Sequence, residues 1–119
     1  MSVRAAARWA TLVATLALIA IVVAADRETL PLLLQRVYNY PAGDKAGHFV
    51  LFGGLAFLAA LGFGRRSTLV IVALVTLEEA SQAWFPGRTA SLFDLLASYA
   101  GIAAGVAAAN LIARRTAVA

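Results

Sequence analysis

LFDLLASYAGIAAGVAAANLIA, residues 92–113, decides the fold. The run is long enough to cross ~30 Å of hydrocarbon as a helix, which takes about 20 apolar residues. Its strongly polar residues are Asp94, Ser98 and Asn110. The two-residue alternation of a membrane strand is absent. A helix satisfies its own backbone groups inside lipid, so this run reads as a transmembrane helix. Ala97, Gly101, Gly105 and Ala109 recur every four residues, placing a stripe of small side chains on one face. Such a stripe lets helix backbones approach closely, within one chain or between two copies.

Three more apolar runs precede it. They cover 9–25, 46–64 and 68–85, the second interrupted by His48 and the third carrying Glu78, Glu79 and Gln82. The expectation is an all-α polytopic bundle of about four transmembrane helices, a single domain over residues 1–119. The whole chain agrees: 62% of its residues are hydrophobic and 13% charged, too little polar surface to solvate a soluble domain of this length. The net charge of +4 does not point to nucleic acid, because the basic residues stand singly or in pairs between apolar runs. With no cysteine, disulfide and thiol chemistry are excluded. A single histidine rules out a multi-histidine metal centre within one chain.

The breaks are marked. Gly64-Arg65-Arg66-Ser67 separates the second and third runs, with Ser67 as expected N-cap. Phe85-Pro86-Gly87 ends the third. Between 26 and 44, the stretch from Leu30 to Leu34 is too short to span, and it reads as interfacial, with Tyr38 and Tyr40 at headgroup level. The first run also has the form of a cleaved signal peptide, although a retained helix fits its length better.

Four spans put the N-terminus, the Arg65-Arg66 loop and the C-terminus on one side. That side holds Arg4, Arg8, Arg65, Arg66, Arg114 and Arg115 and no acid. The other holds Arg27, Arg36, Lys45, Arg88 and every acid. Excess Lys/Arg marks the cytoplasm, so both termini are expected inside and the acidic end outside.

Counting at 1.5 Å per residue, His48, Gln82 and Asp94 fall about 5 Å below the outer surface and Glu79 about 9 Å below. Three runs thus bring polar side chains to one shallow layer. Lys45 reaches it by snorkelling, and Arg88 sits in the loop above. Glu78 points to a different face from Glu79. Carboxylates in lipid cost about 2.5–3.5 kcal/mol at the bilayer centre, and less near the interface. They should therefore be paired or protonated, and the expected pairing is Glu79 or Asp94 with Arg88, His48 bridging to the other.

Asp44-Lys45-Ala46-Gly47-His48-Phe49 resembles the opening motif of the VanZ-like family. Glu79-Ala80-Ser81-Gln82 with Phe85-Pro86-Gly87-Arg88 resembles its second segment, and Asp94 with Gly101 and Gly105 its third. The resemblance covers residues 44–105, with Ser98 where the family usually has Asn. It implies a small multi-pass protein of the bacterial cytoplasmic membrane. The founding member is associated with resistance to the glycopeptide teicoplanin, and the family name supplies no reaction.

Three functions fit these residues. The first is an outward-facing site that binds or modifies an envelope lipid, wall precursor or amphiphilic drug. Its candidate catalytic residues are His48, Glu79 and Asp94, and its candidate ligand-binding residues are Lys45, Gln82 and Arg88. The second is a non-catalytic module whose polar residues fix helix packing or partner contacts, including a homo-oligomer. The third is a metal enzyme with His48, Glu79 and Asp94 as its three ligands, the minimum for a catalytic zinc. The main reading needs no cofactor. A transporter fits least, since four helices leave no path through one chain.

Overall fold

The computed structural model describes residues 1–27, 29, 31–39, 43–85 and 90–118. Its elements are α1 (Val3–Asp26), α2 (Leu32–Asn39), α3 (Gly43–Phe63), α4 (Arg66–Ser81), a 3-10 turn (Gln82–Trp84) and α5 (Leu92–Val118). No strand occurs among the described residues. Three helices are long and apolar enough to cross a membrane: α1, α3 and α5. The third apolar run, expected as one span, divides into the 16 residues of α4 and the 3-10 turn. Together they rise about 30 Å, at 1.5 Å per α residue and 2.0 Å per 3-10 residue.

Local chemistry sets the ends. The Ser2 hydroxyl accepts from the Ala5 amide at 3.1 Å and caps α1. Gly64 closes α3 at φ +87°, a left-handed conformation that glycine adopts without a Cβ penalty. Ser67 is not the N-cap expected of it. Its hydroxyl donates to the Gly64 carbonyl at 2.7 Å, and α4 has already begun at Arg66. The tight glycine turn presents that carbonyl to the helix start, so the serine serves as a donor inside the first turn. At α5, the Ser91 hydroxyl accepts from the Asp94 amide at 3.3 Å, an N-cap contact. Pro86 and Gly87, expected to end the third run, lie outside the described residues.

The segment read as interfacial contains α2, which packs against α3. Tyr40 and the Tyr38 side chain lie outside the described residues.

Helices α3 and α5 run parallel and form the main interface. A Cβ on Gly101 would collide with the Phe49 carbonyl, and one on Gly105 with the Gly53 carbonyl. The small-residue stripe of α5 is therefore used inside the chain, backbone against backbone. Beside this seam, Leu55, Ala56, Ala59, Ile71, Val75 and Ile102 form the buried core. Thr76 and Tyr99 share a hydroxyl–hydroxyl hydrogen bond that joins α4 to α5.

Helix α1 runs antiparallel to α3. Its Arg8 guanidinium donates to the Gly62 carbonyl at 2.7 Å, and Arg4 donates to the same oxygen at 3.3 Å. Arg8 also stacks over the Phe63 ring, 5.4 Å from its centroid. Outward, α1 exposes Trp9, Leu12, Val13, Leu16 and Ile19. An apolar face of that extent is untenable in water and suited to lipid.

Candidate functional site

The polar residues gather at the end of the bundle opposite Arg8 and Gly62. Helix α3 supplies Asp44, Lys45 and His48, α4 supplies Glu78 and Glu79, the 3-10 turn supplies Gln82, and α5 supplies Asp94 and Ser98. The parallel packing of α3 on α5 sets the first turn of each side by side, which lets their side chains meet. Glu79, Gln82, Asp94 and Ser98 are all buried.

Asp94 is held from α3. Its Oδ1 accepts from Lys45 Nζ at 3.2 Å, and the same ammonium donates to Asp44 Oδ2 at 3.0 Å. The Lys45 side chain is 41% exposed while that of Asp94 is 3% exposed, so the lysine carries the buried charge toward the surface. The expected role of Arg88 as partner of Glu79 or Asp94 falls outside the described residues. Among the described residues Lys45, one helical turn before His48 on α3, is the basic partner of Asp94.

Glu79 has two separate duties. Its Oε1 accepts the Ser91 amide N–H at 2.7 Å, giving the start of α5 a cap supplied from α4. Its Oε2 faces His48 Nε2 at 3.7 Å. That spacing exceeds a direct hydrogen bond. His48 Nδ1 lies 2.7 Å from the Asp44 carbonyl oxygen. A carbonyl only accepts, so Nδ1 carries the hydrogen and Nε2 is left to face the cluster. The ligating atoms of His48, Glu79 and Asp94 lie within 4.8 Å of one another.

Gln82 is fully buried. Its amide donates to Glu78 Oε1 at 2.7 Å, and its own carbonyl oxygen has no partner among the described residues. Glu78, expected to face elsewhere, is thus tied to the cluster through Gln82, since i and i+4 share a helix face. Among the described residues the Ser98 hydroxyl bonds backward, donating to the Asp94 carbonyl at 3.1 Å.

A cleft of about 160 Å³ opens beside the cluster. Leu18, Ile21 and Val22 of α1, Leu34 and Val37 of α2, and Leu51 of α3 form its apolar walls. Asp44, His48 and Glu78 form its polar edge. Sequence spacing did not reveal this cleft, because it needs α2 folded against α3. A second cavity of about 330 Å³ lies between α4 and α5, lined by Thr68, Val72, Tyr99, Ile102, Ala103 and Val106, away from the charged cluster.

Fold and site together define a small polytopic helical membrane protein with an ionisable cluster where three helices meet. The chain belongs to the VanZ/LLP1 family, whose model matches residues 4–113. The match extends the motif-bearing stretch at 44–105 to take in α1 and most of α5. Comparison with curated proteins and with solved structures returns no match.

Proposed function

We propose that this protein binds an amphiphile of the bacterial envelope, its apolar chain in the cleft and its polar head at the Lys45–His48–Glu79–Asp94 cluster. The carrying observation is the cleft itself, apolar along α1, α2 and α3 and edged by Asp44, His48 and Glu78. Ligand sites are commonly concave, mostly apolar and marked by a few convergent polar groups. Lys45 offers a partly exposed ammonium to a phosphate or carboxylate head, and Gln82 and Arg88 are the further ligand-binding candidates. His48 and Glu79 are placed to move a proton if the bound head reacts. Envelope lipids, lipid-linked wall precursors and lipidated glycopeptides share this chemistry.

In this reading the protein sits in the cytoplasmic membrane with both termini inside. Helix α4 with its 3-10 turn makes the fourth crossing, and the cluster faces outward. The excess of arginine at the opposite end supports that orientation.

Gly47 gives a direct test. It lines the cleft, and a Cβ there meets nothing within 4 Å. Gly47→Phe should fill the cleft and leave the helices packed. Native mass spectrometry should then find an amphiphile on the wild type and a several-fold reduction on the variant. Equal retention would refute the cleft as the site.

The second reading is a non-catalytic module. It is favoured by the Glu79–Ser91 and Lys45–Asp94 bonds, which join α4 to α5 and α3 to α5. It predicts that Glu79→Gln lowers membrane abundance without altering any bound molecule.

A further inference from the structure

We infer that His48, Glu79 and Asp94 bind one divalent first-row metal ion of the Zn2+ or Mn2+ kind. The three residues come from three helices, and their ligating atoms lie within 4.8 Å of one another. What lifts them above a chance gathering is how each is held. His48 Nδ1 is tied to the Asp44 carbonyl, which aims Nε2 at Glu79. Glu79 Oε1 is tied to the Ser91 amide, which leaves Oε2 toward His48. Asp94 Oδ1 is tied to Lys45. His48 and Glu79 thus each spend one polar atom on an outer hydrogen bond and have another to offer, and Asp94 adds a buried carboxylate fixed by Lys45. Protein metal sites orient their ligands in this way, the histidine through its second ring nitrogen above all.

The spacing fits. Zinc stands about 2.0–2.2 Å from nitrogen and oxygen ligands, so two ligands of one ion lie about 3–4 Å apart. His48 Nε2 and Glu79 Oε2, at 3.7 Å, are inside that span. Side-chain movement of about 1 Å brings the widest pair to it. One imidazole with two carboxylates is a borderline donor set that suits Zn2+ and Mn2+. Three protein ligands leave a coordination position open, and one of the three, His48, also edges the cleft.

This inference rests on the cluster of the amphiphile reading and can fail separately from it. Tag-free protein, stripped of lipid in a nonionic maltoside detergent, is titrated with Mn2+ while free ion is followed by electron paramagnetic resonance. One Mn2+ bound per chain, displaced by Zn2+, is the expected result. Pulsed measurements should show coupling to a single imidazole nitrogen. His48 is the only histidine, so that signal assigns the ligand without any mutation. His48→Ala should weaken binding by more than the roughly 10–100-fold typical of losing an outer-shell partner. No retained ion, an ion without nitrogen coupling, or unchanged binding in His48→Ala would each overturn the inference. Protein that binds the ion and no envelope lipid would keep it and remove the amphiphile reading.

Discussion

The two ends of the bundle handle charge differently. At one end Arg4 and Arg8 donate to a single backbone oxygen, that of Gly62, and Arg8 covers Phe63. The arginines there close off a helix terminus, and no carboxylate is involved among the described residues. At the other end Lys45 bridges two carboxylates, His48 faces Glu79, and Glu79 caps a neighbouring helix. A helix end needs only the first kind of arrangement to be satisfied. The second places buried carboxylates from α4 and α5 against one imidazole, an expensive grouping inside a membrane.

The sharpest way to break this contrast is at the seam the polar end depends on. Gly101→Ala puts a Cβ into the Phe49 carbonyl. It should cost about 3 kcal/mol, the upper part of the usual overpacking range. It should also abolish coupling between Lys45 and Asp94 in a double-mutant cycle while leaving the Arg8 contact intact. Thermal unfolding in detergent reads both.

Lys45→Met probes the polar end alone. It leaves the Asp94 carboxylate buried without its ammonium. Breaking a fully buried pair costs about 3–5 kcal/mol. With the Lys45 side chain 41% exposed, solvent screening makes the loss smaller than that, read as a modest drop in melting temperature. An unchanged melting temperature would put this pair in the class of surface ion pairs.

Arg8→Ala probes the other end. It removes one hydrogen bond to Gly62 and a stacked cation, and should cost about 1 kcal/mol with no change in any bound ligand. A change in ligand retention would mean that the two ends are coupled. Tyr99→Phe, which removes the Thr76 hydrogen bond midway between them, should cost about 0.5–1 kcal/mol.

Much of this was legible in the sequence. The apolar runs located the helices, and residue spacing put His48, Glu79, Gln82 and Asp94 at a common depth. The repeat of Gly101 and Gly105 marked the face that meets α3. Rise per residue gives depth but not rotation, so partners across helices were legible only as alternatives: His48 was expected against Glu79 or Asp94, and it faces Glu79. Lys45 meets Asp94 because the glycine seam fixes the phase of α3 against α5. Glu79 reaches the Ser91 amide only after the chain turns back between α4 and α5. The cap role given to Ser67 failed because the turn geometry of Gly64 starts α4 before that residue. The arginine contacts with Gly62 carried no sequence signal beyond charge, since any backbone carbonyl accepts.

The central claim is that the polar end holds a ligand as well as the fold. Glu79→Gln tests it most directly, because the amide oxygen can still cap Ser91 while the charge is removed. Molecules co-purifying with matched amounts of folded wild type and Glu79→Gln are compared by mass spectrometry. The account predicts an amphiphile on the wild type that is lost or chemically altered on the variant, with little change in melting temperature. Identical profiles would contradict it and leave the cluster as a helix-packing device.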